Sequence, residues 1–130
     1  MSITIYDFSG RHEAYTLSAL KEILCKRYGP NVNGFWISHD DQQRPVISLL
    51  VKEDLATLIY FPSEDHPGFI PVGGIEGLSG TDCTTFRGDT IEQGLEVPNS
   101  QVIQFASALN VAEEFFKSKS LPKSIDWTEL

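Results

Sequence analysis

Cysteine is scarce in this chain. Cys25 and Cys83 are the two among 130 residues, too few for the disulfide framework of a small secreted domain and without the spacing of metal ligands. They read as free thiols of a reducing compartment, because disulfides are rare in the cytosol. Histidine is nearly as scarce, with three copies. No apolar run approaches the ~20 residues that span a bilayer, which excludes a transmembrane helix. The first residues, Met1-Ser2-Ile3-Thr4-Ile5, have neither a basic region nor a long apolar stretch, so no secretory leader is expected. Positive charge is also in short supply. Ten Lys and Arg face eighteen Asp and Glu, a net charge of −8. These absences point to an acidic, cytoplasmic protein that repels nucleic acid and anionic membranes and attracts a basic partner.

The remaining composition is that of a folded protein, 41% hydrophobic and 22% charged. One domain over residues 1–130 is expected, able to bury roughly two-thirds of its unfolded surface. The acidic excess is local. Residues 39–98 hold eleven acids against Arg44, Lys52 and Arg87, a balance of −8, while the flanking segments nearly cancel.

Ile3, Ile5 and Phe8 suggest a short strand or extended arm, broken at Ser9-Gly10. Leu17, Leu20, Leu24 and Tyr28 recur at helical spacing, so His12 to Tyr28 reads as a helix stopped by Gly29-Pro30. Gly34 to Ser38 reads as a strand ending at the polar turn His39 to Gln43. Val46 to Val51 and Leu55 to Phe61 are nearly continuous apolar runs separated by Lys52-Glu53-Asp54, a hairpin of two central strands covered on one face by helix. Residues 62–98 contain seven of the ten glycines, with short strands expected at Phe69–Val72 and Thr84–Arg87. Pro98-Asn99-Ser100 opens a second helix, capped by Asn99 or Ser100, whose buried stripe is Val102, Phe105, Leu109, Ala112 and Phe116. The tail Leu121 to Trp127 is extended and docks on the body. The fold class is α+β: an antiparallel or mixed sheet of about five strands with two helices packed on one face.

Chemistry-bearing groups do not converge in the sequence. His39-Asp40-Asp41 and Glu64-Asp65-His66 each place an imidazole beside two carboxylates, but neighbours in one turn rarely aim at a common centre, and both read as solvated turns. Gly73-Gly74-Ile75-Glu76-Gly77 lacks the Gly-Lys-Ser/Thr ending of a phosphate loop. Ser79 belongs to no nucleophile motif. No catalytic residue, metal or cofactor is therefore expected, and the chain reads as a binding protein, not an enzyme. Asp40, Asp41, Glu64, Asp65, Asp82 and Asp89 lie in predicted turns and loops, where rim charges raise association rates and select partners. Phe69 is a loop aromatic suited to anchor an interface. Trp36 and Trp127 are assigned to the core.

The second half of the chain resembles an immunity-protein family of bacterial polymorphic toxin systems, usually paired with deaminase-superfamily toxins and marked by a C-terminal tryptophan. The likeness runs from about residue 45 to 128. It rests on the apolar hairpin Val46 to Phe61, the glycine-rich middle, Glu96-Val97-Pro98, Ala112-Glu113-Glu114-Phe115-Phe116, and the ending Leu121-Pro122-Lys123-Ser124-Ile125-Asp126-Trp127. The resemblance implies an α+β fold and binding of a cognate protein toxin, with Trp127 as the family-marker position. A deaminase acting on nucleic acid presents a basic groove, which an acidic protein can occupy. The alternative is an acidic secretion chaperone that holds an effector segment. The order of neighbouring genes separates the two, since an immunity gene lies beside its toxin gene.

Overall fold

The computed structural model describes residues 2–75, 77–88 and 90–130. Among these, ten strands and two helices follow in the order β1 (Ile3–Asp7), β2 (Gly10–Ala14), α1 (Leu17–Leu24), β3 (Val32–His39), β4 (Val46–Lys52), β5 (Leu55–Phe61), β6 (Phe69–Pro71), β7 (Cys83–Arg87), β8 (Gly94–Pro98), β9 (Ile103–Gln104), α2 (Phe105–Lys117) and β10 (Trp127–Glu129). The fold is α+β, but its sheet is larger than the expected five strands. Eight strands pair antiparallel in the order β10-β6-β5-β4-β3-β1-β2, with β9 joined to β5, while β7 and β8 form a separate hairpin.

Local chemistry sets these elements. The β4–β5 hairpin turns in two residues, Glu53 and Asp54, with Glu53 in the left-handed region at φ 55°, a twist that suits a two-residue hairpin. The helix expected over His12 to Tyr28 is much shorter, because its first residues pair with β1 instead. The Asp7 carboxylate accepts from both the Ser9 backbone N–H and its hydroxyl, each at 2.8 Å, and fixes a tight turn at Phe8-Ser9. Helix α1 then starts at Thr16, whose hydroxyl accepts from the Ala19 N–H at 3.1 Å. At its other end the Arg27 guanidinium donates to the carbonyls of Leu24 and Lys26 at 2.8 and 2.9 Å, satisfying carbonyls the helix leaves open.

Both helices lie on one face of the sheet, as expected. Leu20 and Leu24 of α1 and Ala108, Val111, Ala112 and Phe115 of α2 pack with Ile3, Ile5, Phe35, Ile37, Ile47, Leu49 and Leu58. Lys21 pairs with Glu113 at 3.0 Å between the helices. The second helix begins later than the sequence suggests. Asn99–Gln101 is a single 3-10 turn, and Asn99 caps no α-helix. It is buried, accepts from the Thr84 hydroxyl at 2.6 Å and donates to the Ser79 carbonyl at 2.8 Å. It thus fastens the β7–β8 hairpin to the loop before it. The buried stripe of α2 is turned accordingly toward Ala108, Val111, Ala112 and Phe115. Val102 belongs to a second cluster with Phe86 and Val97, packed on Leu50, Leu55, Ile75 and Leu78.

The tail docks on the body, as expected. The Trp127 indole N–H donates to the Pro122 carbonyl at 2.7 Å, its ring lies 6.4 Å from that of Tyr60, and β10 completes the sheet edge against β6. Trp127 is half-buried and packs against the main core.

Candidate functional site

The helices cover one face of the sheet. The β7–β8 hairpin lies over the end of the opposite face near the β4–β5 turn; elsewhere on that face Tyr6 and Trp36 stay exposed, while Thr4, Ser38 and Val46 are buried. Its composition follows from strand register. Arg11, Tyr6, Trp36, Ser48 and Ile59 are successive cross-strand partners from β2 through β5, and the adjoining row runs Glu13, Thr4, Ser38, Val46, Phe61. Side chains alternate along a strand, so residues paired in this way share a face.

Trp36 is the centre of this surface. Its neighbours Phe35 and Ile37 point into the core, fully buried, while Trp36 itself is 40% exposed. Its assignment to the core is therefore overturned. Its ring stacks on that of Phe61 with centroids 6.2 Å apart and 24° between planes. The Arg44 guanidinium lies over the same Phe61 ring, 5.5 Å from its centroid. Tyr6, 41% exposed, donates from its hydroxyl to Asp41 at 3.1 Å. Arg11 is engaged by Glu13 at 2.7 Å and by Asp41 at 3.8 Å.

Two small clefts flank Ser48. One, of about 150 Å³, is lined by Tyr6, Gly34, Trp36, Ser48, Leu50 and Gly88; the other, of about 100 Å³, is lined by Ser48, Thr57, Ile59, Leu95 and Val97 among others. The hairpin can close down on β3 because Gly34 has no side chain. A Cβ there would stand 3.0 Å from the Gly88 carbonyl oxygen.

The acids singled out in the sequence divide into separate groups. Asp40 and Asp41 form the β3–β4 turn, both left-handed at φ 50° and 57°. Asp40 is tied up locally: its carboxylate accepts from the Ser2 N–H at 2.9 Å and hydroxyl at 3.0 Å, and these bonds hold it below the usual carboxylate range. Asp41 is directed to the open face through Tyr6 and Arg11. Glu64 and Asp65 are exposed in the loop after β5, at the same end of the sheet, since Ser38, Val46 and Phe61 are in register. Asp65 accepts from the Ser63 hydroxyl at 2.8 Å, which lowers its pKa. Asp82 is exposed at the start of the hairpin, packed against Asn99 at the other end of the sheet. Asp89 lies outside the described residues, as does Glu76.

Phe69 does not lie in a loop. It begins β6 half-buried on the helix side, stacked on His66 at 4.9 Å and packed against the core. His39 is likewise no member of a solvated turn. It is 1% exposed, its ring set edge-on to Phe115 and its Nε2 hydrogen-bonded to the Phe115 carbonyl. His66 turns from Glu64 and Asp65 toward Glu129, 2.7 Å away. Among the described residues no three potential ligands converge to hold a metal. No helix among them is long and apolar enough to cross a membrane.

Sequence reasoning missed Tyr6 and Trp36. In Gly34-Phe35-Trp36-Ile37-Ser38 the apolar run looks two-sided. The open side becomes visible only when the hairpin is seen to cover part of the second face.

What the arrangement presents is an exposed aromatic patch on an acidic protein. No family model matches the chain. Along nearly its whole length it is similar to the double-stranded DNA deaminase immunity protein of Burkholderia cenocepacia (strain H111), with 23% identity over 124 residues, covering 95% of this chain and 97% of that protein. That relative is named for immunity, not for an enzymatic activity, in agreement with reading this chain as a binding protein.

Proposed function

We propose that this chain is a cytoplasmic immunity protein that binds and neutralises a cognate deaminase toxin in a stoichiometric complex. The observation that carries the reading is the likeness to an immunity protein over 95% of the chain. At 95% of the chain it reaches well into residues 1–44, beyond the segment whose motifs suggested the family. The partner is a protein, not nucleic acid, because a net charge of −8 repels phosphate.

The finer mechanism follows from charge. A deaminase acting on nucleic acid needs a basic groove beside its pocket. Asp41, Glu64, Asp65, Asp82 and Asp89 supply negative charge that steers the chain toward such a groove and blocks it. Asp40 adds to that field while holding the N-terminus. Trp127 stays a packing residue. The test is co-expression of the chain with the product of its neighbouring gene. Co-purification of a complex, with rescue of cells from that product, is the expected result. Capture of an unfolded effector segment without rescue would contradict it and favour a secretion chaperone.

A further inference from the structure

On the outer sheet face Trp36 and Tyr6 pack on their neighbours yet remain 40% and 41% exposed. We infer that this face, centred on Trp36 with Tyr6 and Phe61, is the surface on which a folded, basic protein domain docks, with the β7–β8 hairpin as one wall of the site. The inference rests on the toxin-binding reading above and names the surface that serves it.

Several observations select this occupant. Trp and Tyr are the side chains that most often dominate binding energy at protein interfaces, because they bury a large area at the cost of few torsions. Here the rings are already held: Trp36 by stacking on Phe61 and Tyr6 by its bond to Asp41. Little ordering is left to be done on binding. The surface is also not flat. The two clefts beside Ser48 each have the size of a single side chain, and Leu95, 43% exposed, overhangs one of them from the hairpin. A partner can therefore insert apolar side chains on both sides of Ser48.

Charge excludes the competing occupants. Bases stack on exposed aromatics, but a strand of phosphates is repelled by an acidic protein. A second copy brings a further −8, which opposes self-association across this face. Asp41, at the rim, accepts from Tyr6 and lies 3.8 Å from Arg11; the charge that favours a basic partner is the net −8 of the whole chain.

The experiment measures binding of the full chain and of the double variant Tyr6→Ala/Trp36→Ala to the purified product of the neighbouring gene. Circular dichroism and thermal melting confirm that the variant is folded. The double variant is expected to bind about 30-fold or more weakly, the loss typical of central interface aromatics. Asn110→Ala, at an exposed residue of α2 on the helix side of the sheet, is expected to bind like wild type. Hydrogen–deuterium exchange of the wild-type complex gives an independent reading, with protection expected on β1, β3 and β8. A complex that the double variant forms with unchanged affinity overturns the inference and leaves the immunity reading intact. Protection confined to the helices does the same. Failure of the wild type to bind overturns both. Wild-type binding to a single-stranded DNA oligonucleotide, or a dimer of the chain alone lost in the double variant, would give the face to another occupant and overturn the inference.

Discussion

Trp36 and Phe61 stand on strands β3 and β5, with β4 between them, yet their rings stack with centroids 6.2 Å apart. On the intervening strand Trp36 pairs with Ser48 and Phe61 with Val46, so the two rings meet across these positions of β4. A serine side chain is too short to separate the rings, and it leaves a cleft on either side.

Filling that gap tests whether the face is functional. Ser48→Phe projects from the open side of the sheet, so its effect on stability is expected to stay within about 1 kcal/mol. It would crowd the Trp36 ring and intrude on the clefts beside it. Binding to the neighbouring gene product, followed by calorimetry, is expected to fall at least about tenfold while the melting temperature holds. Unchanged binding would remove the clefts from the interface.

The buried histidine has a structural duty. His39 joins the end of β3 to the Phe115 carbonyl near the C-terminus of α2, where helices leave carbonyls without internal partners. His39→Leu keeps the apolar packing but strands that carbonyl, and is expected to cost about 1–3 kcal/mol in denaturant unfolding. A neutral effect would show that the bond adds nothing to the fold.

Most of this architecture is legible in the sequence where a pattern is long and local. The β4–β5 hairpin falls where its two apolar runs and polar turn place it, because both strands are central and continuous. The fold class and the one-sided helical layer follow from the same periodicities. The short elements are not legible. Gly10-Arg11-His12-Glu13-Ala14 has no strand composition and becomes β2 only because β1 offers a partner and Asp7 closes the turn. Asn99 looks like a cap but fastens a hairpin, a role set by Ser79 and Thr84, twenty and fifteen residues away. His39 looks like part of an acidic turn until Phe115 is brought over it. The open face is hidden for a related reason: which apolar residues of a strand stay uncovered depends on what packs over them, and the β7–β8 hairpin comes from a glycine-rich segment with little periodicity of its own.

Asp7 makes stability depend on acid. Its side chain is fully buried. Burial alone would raise its pKa, but hydrogen bonds from Ser9, Asn33 and His12 outweigh this and lower it from 3.8. A carboxylate held below its unfolded-state value contributes stability that is fully present above that value and is lost as pH falls through the folded-state value. Unfolding free energy is therefore expected to decline below about pH 4. In Asp7→Asn this part of the acid limb is expected to flatten, with lower stability at neutral pH. Chemical denaturation across the acid range reads both, and an unchanged profile would show that other carboxylates set the acid limit.

Charge at the rim is expected to govern how fast the partner is found. Replacing Asp41, Glu64 and Asp65 by Lys reverses the field at one end of the sheet. At low salt the association rate is expected to drop by about tenfold or more, and the difference from wild type to shrink as the Debye length shortens to about 10 Å near 0.1 M salt. Stopped-flow mixing in a salt series measures this, and identical, salt-insensitive rates would remove the electrostatic component.

Neutralisation by stoichiometric binding can be read from the toxin's own activity. It is measured by the nucleic-acid deamination activity of the purified product of the neighbouring gene, titrated with this chain. Activity is expected to fall linearly and vanish at one chain per enzyme, with a 1:1 complex by light scattering. Full activity in the presence of excess folded chain, or inhibition by a chain that forms no complex, would contradict it.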